Sequence, residues 1–559
     1  MTNPLISDWK TEFELPPFAA IEDKHFAPAI EAALDEARAN VAAIAEDPAA
    51  PTFANTIDAL EEADALLSKV LGVFFNLASA DATPEREALQ REFSPKLAAY
   101  SSEIMMNPAL FARVETLWQT REALDLTDEQ LRVLTLTRRR FVRAGALLEG
   151  DERDRLKEIM QRLSVLGTTF SQNLLAEERS WQMDLPEADL DALPGFVADA
   201  ARAAGVERGA GGPVVTLSRS LVTPFLAFSP NRALRKKAYE AFTARGANGG
   251  ATDNRAIAAE TLSLREERAR LLAVRDLLMQ VWAPAKAAAE ADAAKLEDML
   301  HADGHQGPLE PWDWHYYSEK RRQAEHDLDE AEIKPYLQLD RMVEAVFSVA
   351  NRLFGLEFRP LDGPFYHPDV RGWEVTRSGD HVGVFLGDYF ARGSKRSGAW
   401  CSAMRSQKGL DAVRPIVVNV CNFSKPEPGK PALLSWDDAR TLFHEFGHAL
   451  HQLLSYVTYE SISGTSVARD FVELPSQLNE HWLEVPEVLG EFATHAETGA
   501  PMPGPLLERL IGAATYDMGF QTVEYVASAL VDLAFHDGAA PADPMQKQAE
   551  VLEEIGMPR

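Results

Sequence analysis

The stretch that decides the fold runs TLFHEFGHAL from Thr441 to Leu450. It lies in a proline-free segment whose apolar residues recur at i, i+4, i+7 and i+11, the spacing of an amphipathic helix: Leu442, Phe446, Ala449 and Leu453. On such a helix, His444 and His448 lie one turn apart on the same face. Two imidazoles so placed can bind one zinc ion, and Glu445 can reach water on that ion without being a ligand. The stretch therefore predicts a helix that carries a candidate metal site.

A third ligand is needed, because catalytic zinc normally has three protein ligands and one open position. Downstream lies SISGTSVARDFVELPSQLNEHW, in which Glu473, Gln477 and Glu480 form a polar stripe at i, i+4 and i+7. A carboxylate on this second helix could face the histidines. Glu473 could equally be a solvated surface acid, and spacing alone leaves both interpretations open. Glu480 is either a group that orients a ligand or another solvated acid.

Composition narrows the class of protein. The chain has 559 residues, of which 46% are apolar, enough for a sizeable core, and a net charge of -30. So acidic a chain is a poor partner for nucleic acid and anionic membranes. Only two cysteines occur, Cys401 and Cys421, which argues against a disulfide framework and favours a reducing compartment. With no signal peptide and no long apolar run, the expected location is the cytoplasm.

Helical periodicity dominates the rest of the chain. HFAPAIEAALDEARANVAAIAED has apolar residues at three-four spacing: Ile30, Ala33, Leu34, Ala37, Val41 and Ile44. A turn-rich break over residues 184–214 suggests a boundary between an N-terminal helical region, 1–214, and a catalytic region, 215–559. After the break, VVTLSRSL predicts a short strand, and FLAFSPNRALRKKAYEAF predicts a helix with Ser229 as its N-cap. DHVGVFLGDYF and RPIVVNVCNF predict strands, so we expect a mainly helical fold with a small sheet beside the motif.

The motif and its downstream segment resemble a known family. FHEFGHALH followed by SGTSVARDFVELPSQLNEHW is similar to the M3 family of zinc metallopeptidases, the thimet oligopeptidase group. The resemblance covers nearly the whole chain. FVRAGALL, PWDWHYYSEKRR and VGVFLGDYFARGSKRSGAW are most similar to the bacterial peptidyl-dipeptidase branch, Dcp, with oligopeptidase A next. The resemblance to this family implies one zinc per chain held by His444, His448 and Glu473, with Glu445 as the general base.

The family also implies an architecture and a substrate class. Its members are largely helical, with two lobes flanking a deep channel that admits short peptides, and we expect a cytoplasmic monomer. The peptidyl-dipeptidase branch releases dipeptides from free carboxyl ends, which calls for a group that holds a carboxylate. The candidates are Arg392, Lys395, Arg396 and Arg469. Alternatives are an endopeptidase acting on short peptides, like oligopeptidase A, or a catalytically impaired, zinc-dependent peptide binder.

The chain departs from the family pattern in two places, and the second motivates that last alternative. Leu272-Ala273 runs directly into Val274, where relatives have a further helix-loop stretch. Relatives also continue past the equivalent of EEIGMPR into a segment whose His and Tyr side chains contact substrate. We therefore expect the C-terminal part of the family domain to be missing, and loss of one oxyanion donor can lower turnover about 10²–10³-fold. No GxSxG, GxxxxGK[ST] or GxGxxG motif points to another chemistry.

Overall fold

The structure is a computed structural model. It describes residues 3–147, 150–269, 275–326, 329–427, 429–513, 516, 518–536 and 539–557. The departures expected at residues 272–274 and at the end of EEIGMPR fall wholly or partly outside these residues.

Helices make up most of the elements, which confirms the mainly helical fold. The first eleven are α1 Phe26–Glu46, α2 Ala59–Glu62, α3 Ala65–Ala80, α4 Pro84–Met105, α5 Pro108–Thr120, α6 Asp128–Arg143, α7 Gly150–Ser180, α8 Glu187–Leu190, α9 Gly195–Glu207, α10 Arg219–Phe228 and α11 Arg232–Thr243. The others are α12 Arg255–Ala269, α13 Arg275–Ala302, α14 Pro311–His326, α15 Glu330–Ile333, α16 Leu339–Phe354, α17 Trp436–Leu453, α18 Leu474–Glu480, α19 Pro486–Phe492, α20 Gly504–Gly512, α21 Met518–His536 and α22 Pro544–Glu554.

The strands form one small pair and one sheet. They are β1 Gln182–Asp184, β2 Val214–Thr216, β3 Leu356–Leu361, β4 Arg371–Arg377, β5 Asp380–Phe390, β6 Trp400–Arg405 and β7 Ile416–Phe423. β1 pairs with β2, and the sheet has the order β3-β4-β5-β7-β6, with antiparallel β3/β4, β4/β5 and β6/β7 pairs. The stretches DHVGVFLGDYF and RPIVVNVCNF become β5 and β7, so both strand predictions are confirmed.

The first helix shows how the apolar pattern creates a core. All six residues of its predicted stripe are buried, and α1 packs against α3 with the rings of Phe26 and Phe74 5.2 Å apart. The stretch Ala54–Ala80, which contains α3, is long and apolar enough to cross a membrane by length and composition. Half of its most apolar window is buried inside the protein, and a core helix passes the same test, so the packing favours a core helix.

One helix start differs from the prediction. VVTLSRSL is a strand only as far as Thr216, and α10 then begins at Arg219. Ser229 is not an N-cap; it follows the last residue of α10 in extended conformation. The cap of α11 is Asn231, whose side-chain oxygen accepts a hydrogen bond from the Leu234 N–H at 3.3 Å.

The chain divides into two compact units, each built from three segments. The first unit comprises Met1–Thr168, Met342–Asn422 and Asp438–Val488, and the second comprises Thr169–Arg341, Phe423–Asp437 and Leu489–Arg559. The boundary expected between residues 214 and 215 lies inside the second unit, and the division into 1–214 and 215–559 stays a prediction. The sheet β3–β7 and most of α17 belong to the first unit.

Helix α17 is anchored on the sheet by an aromatic cluster. The ring of Phe446 lies 5.4 Å from that of Phe385 on β5 and 5.7 Å from those of Phe347 and Phe358. These contacts bury the apolar stripe of the helix. The remaining faces of α17 are therefore held in a defined orientation, and they carry the candidate metal site.

Candidate metal centre

Helix α17 begins at Trp436 and contains the whole quoted motif. Its predicted apolar stripe is buried, as are Glu445 and His448, which are only 6% and 9% exposed. The ring centroids of His444 and His448 lie 4.9 Å apart with their planes at 84°. The expected arrangement, two imidazoles one turn apart on one helix face, is present.

Three side chains converge at this face. Oε2 of Glu473 lies 3.3 Å from Nε2 of His444 and 3.1 Å from Nε2 of His448. One possible ligand atom from each of the three residues lies within 4.8 Å of the other two. The fold thus brings together the two histidines and Glu473, the downstream carboxylate whose position the sequence pattern left open.

A second carboxylate supports the first histidine. Oε1 of Glu480 lies 2.6 Å from Nδ1 of His444. A carboxylate at Nδ1 favours a hydrogen on that nitrogen, so in the neutral ring Nε2 is the nitrogen whose lone pair can bind a metal. Of the two interpretations of Glu480, this contact favours the orienting group.

Glu473 occupies the residue just before α18 rather than a position inside the helix. The Ser476 hydroxyl lies within hydrogen-bonding distance of both Oε2 (3.0 Å) and the carbonyl oxygen (2.8 Å) of Glu473. Asn479 donates from Nδ2 to the Phe443 carbonyl of α17 at 2.6 Å. Sequence reasoning did not single out Ser476 or Asn479, although both lie in the quoted segment, three and six residues after Glu473.

Gly447 permits the close approach of α17 and α18. A Cβ at this position would lie 2.7 Å from Cα of Ser476 and 2.9 Å from Cβ of Asn479 and the Pro475 carbonyl oxygen. Real Cβ atoms do not tolerate such distances from backbone atoms. The glycine inside the motif therefore has a packing role: it lets the segment with Glu473 reach the histidines.

Burial controls the charge state of the site. Removal from water is the main cause that raises the pKa of Glu445 to about 7; His444 opposes the rise and the Glu473 carboxylate adds to it. Burial acts to lower the pKa of His444, but the bond to Glu480 and the carboxylates of Glu445 and Glu473 raise it overall. Burial lowers the pKa of His448. These shifts favour a neutral His448, the form that can bind a metal.

The donor set fits a zinc ion. Two imidazole nitrogens and one carboxylate oxygen are ligands that zinc takes in catalytic sites. Two buried polar atoms in the site, Oε2 of Glu445 and Nδ1 of His448, have no hydrogen-bond partner among the described residues. An unpaired buried carboxylate oxygen beside a candidate metal site suits a group that interacts with water or substrate.

The four candidate cations differ in their surroundings. Arg392 and Lys395 both bind Asp388, at 2.7 and 2.8 Å, and Lys395 also donates to the carbonyls of Phe390 and Cys421. These two side chains are committed to the fold and are not available to hold a substrate carboxylate. Arg396 and Arg469 are exposed.

A cavity of about 200 Å³ opens beside the C-terminal half of α17. Its walls come from β6, from α17 and from the loop before Glu473, and every lining residue is uncharged. Gln452, one helical turn beyond His448, lines the cavity and donates from Nε2 to Sγ of Cys401 at 3.1 Å. Both cysteines are free, and Cys421 is buried while Cys401 is only partly so.

Comparison with known proteins places this geometry in context. The profile described as "Peptidase family M3" matches residues 225–556. Dipeptidyl carboxypeptidase of Salmonella typhimurium (strain LT2) is 39% identical over 96% of this chain and 82% of its own length. Oligopeptidase A of Escherichia coli (strain K12) is 32% identical over 99% of this chain and 85% of its own length. The solved structure "PZ peptidase A with inhibitor 2" has a TM-score of 0.50 at 13% identity, covering 97% of this chain and 81% of that one, and shows similarity of fold alone.

Proposed function

The chain belongs to peptidase family M3, and on that premise we propose that it is a zinc peptidase that releases dipeptides from the carboxyl ends of short peptides. Members of this family are metallopeptidases, so the chain is a peptidase and its substrates are peptides. Release of dipeptides from the carboxyl end is supported by the similarity to the Salmonella dipeptidyl carboxypeptidase. The metal and the residue roles are supported by the donor set.

The observation that carries the proposal is the meeting of one carboxylate oxygen with two imidazole nitrogens. His444, His448 and Glu473 would hold the zinc through Nε2, Nε2 and Oε2. Bound there, zinc would lower the pKa of water and polarise a carbonyl group. Glu480 holds the His444 ring so that Nε2 faces this position.

Glu445 is the proton carrier of the proposed reaction. Its carboxylate is buried, adjoins the first ligand in sequence and has one oxygen without a partner among the described residues. A base works best when its pKa is near the working pH, and burial brings that of Glu445 to about 7. We assign it to accept a proton from the attacking water and to return a proton to the leaving amine.

The solution state is a further part of the proposal. We propose a cytoplasmic monomer with one zinc per chain. The two free cysteines support a reducing compartment, the net charge of -30 supports a monomer, and the His/His/Glu group found among the described residues supports the single zinc. Size-exclusion chromatography with light scattering and metal analysis of the purified chain test the monomer and the zinc stoichiometry directly.

The test of function uses one peptide in two forms, a free acid and a C-terminal amide. The zinc-loaded chain and its Glu445→Gln variant are incubated with each, and products are identified by mass spectrometry. We expect the parent to release the C-terminal dipeptide from the acid and to leave the amide intact, and the variant to keep zinc but lose hydrolysis. Internal cleavage of both forms would favour an endopeptidase. Zinc-loaded parent without cleavage of either form would contradict the proposal.

A further inference from the structure

Several basic side chains of the first unit are already engaged in ion pairs. Arg392 and Lys395 bind Asp388, as described above. Lys408 binds Glu62 and Asp411 at 2.8 and 2.9 Å. A peptide that ends in a free carboxylate needs a cation that the fold has left available.

Arg469 is such a cation. Its side chain is exposed, and among the described residues it makes no hydrogen bond or ion pair. It lies in the loop just before Glu473, where the Phe471 N–H donates to Ala468 at 2.9 Å and the Leu474 N–H donates to Phe471 at 3.0 Å. Each such turn keeps its first and fourth Cα atoms within about 7 Å. The backbones of Arg469 and Glu473 therefore lie in two adjacent turns of the same loop.

The cavity described above is lined by a residue one helical turn beyond His448. Gln452 is four residues after His448, a rise of about 6 Å along α17. Two residues of an extended peptide span at most about 7 Å. A peptide whose scissile bond lies at the His/His/Glu group can thus place its last residue at the cavity.

The cavity cannot balance the charge of that last residue. Its lining is uncharged, with hydroxyls and amides that include those of Gln452, Ser463 and Ser466. A carboxylate there still needs a cation, and Ser466 is only three residues before Arg469 in the same loop. The uncharged lining suits the terminal side chain of the peptide, and the guanidinium of neighbouring Arg469 suits the negative charge of its carboxylate.

We propose that Arg469 binds the terminal carboxylate of the peptide while the cavity receives the terminal side chain. The guanidinium can donate two parallel hydrogen bonds to a carboxylate, and an amide would leave one of its donors unpaired. The distance from the metal centre to this pair then sets cleavage at two residues from the end. The inference rests on the proposed function and adds the residue that selects the carboxyl terminus.

The experiment measures binding without turnover. Zinc-loaded Glu445→Gln is titrated with the free-acid peptide and with its amide, alone and combined with Arg469→Gln, Arg469→Lys or Arg396→Gln. We expect the acid to bind Glu445→Gln about 10–100-fold more tightly than the amide, as charge-assisted hydrogen bonds allow. Arg469→Gln should remove this preference, Arg469→Lys should keep part of it, and Arg396→Gln should retain it. Equal zinc content in all variants is the control for an intact metal centre.

A parallel assay separates this inference from the proposed function. With glutamate at position 445, Arg469→Gln should raise KM for the free acid far more than it lowers kcat. If the parent releases dipeptides and Arg469→Gln does so with the same KM and the same acid preference, Arg469 is not the anchor but the proposed function stands. If Glu445→Gln binds acid and amide equally and the parent cleaves both, recognition of the carboxyl end is wrong and both proposals fail.

Discussion

At the residue scale, two carboxylates near His444 make different contacts. Glu473 touches Nε2 of both histidines, whereas Glu480 touches only Nδ1 of His444. A ligand contributes directly to metal affinity, while an orienting group acts through the ligand that it holds. The two carboxylates can therefore be told apart by the size of their effect on zinc binding.

We expect Glu473→Ala to lose zinc under conditions in which the parent holds one ion per chain. Glu480→Ala should still bind zinc, with affinity reduced about 10–100-fold, because His444 keeps its place but loses its orienting bond. Competition with a chromophoric chelator measures both. Exposed Glu487→Ala is the control and should match the parent. Unchanged zinc affinity in Glu473→Ala would remove this residue from the site.

At the scale of elements, the metal centre depends on how closely two helices approach. Gly447 of α17 faces the backbone of α18, and Asn479 of α18 donates to Phe443 of α17. Glu473 lies at the start of α18. A change in helix spacing would therefore move the third candidate ligand.

We expect Gly447→Ala to lower the free energy of unfolding by about 1–3 kcal/mol and to weaken zinc binding, because its methyl group would push Ser476 away. Thermal melting and chelator competition measure the two effects. Gly490→Ala in α19 is a matched control: a Cβ there meets nothing within 4 Å. That change should stabilise by about 0.5–1 kcal/mol through helix propensity. A Gly447→Ala variant with parental stability and zinc affinity would contradict the packing argument.

At the scale of the whole molecule, each compact unit contains a buried aspartate paired with two basic side chains. The cations are Arg392 and Lys395 for Asp388 in the first unit, and Arg232 and Arg235 for Asp313 in the second. Burial alone would raise the pKa of either aspartate, but the paired cations hold it below its ordinary value. As the pH falls, the unfolded chain binds these protons first. The stabilisation is present above about pH 4 and is lost below it.

We expect Asp388→Asn and Asp313→Asn each to lower the free energy of unfolding by about 3–5 kcal/mol at neutral pH, because each leaves a buried cation, Lys395 or Arg235, without its carboxylate partner. The deficit relative to the parent should shrink as the pH falls below about 4, because the unfolded parent then takes up these protons and the parent loses the same stabilisation. Hydrogen exchange should locate the effect of Asp388→Asn in β5 and β7 and that of Asp313→Asn in α11 and α14. Glu427→Gln, which breaks an exposed pair with Lys430, is the control and should leave exchange unchanged. An equal increase of hydrogen exchange in both units after Asp388→Asn would contradict the assignment of this ion-pair cluster to the stability of the first unit.

Local patterns predicted the elements well. The stripe of α1, the strands β5 and β7 and the helix with the histidines follow from apolar spacing, because periodicity reports which face is buried. The N-cap at Ser229 was wrong because the helix begins two residues later than expected, at Arg232, where the side chain of Asn231 supplies the cap. Whether Glu473 lies near the two histidines was open, since residue spacing within one segment carries no information about the distance of that segment from another.

By itself, the sequence determined that one helix carries two imidazoles and a carboxylate on defined faces, because helical geometry sets their spacing. Only the tertiary structure decided that Glu473 meets both histidines, that Gly447 makes room for it, and that Arg392 and Lys395 serve the fold. These are contacts between segments far apart in the chain. They depend on how helices and strands pack, and packing is set by the shapes and charges of all the surfaces that meet.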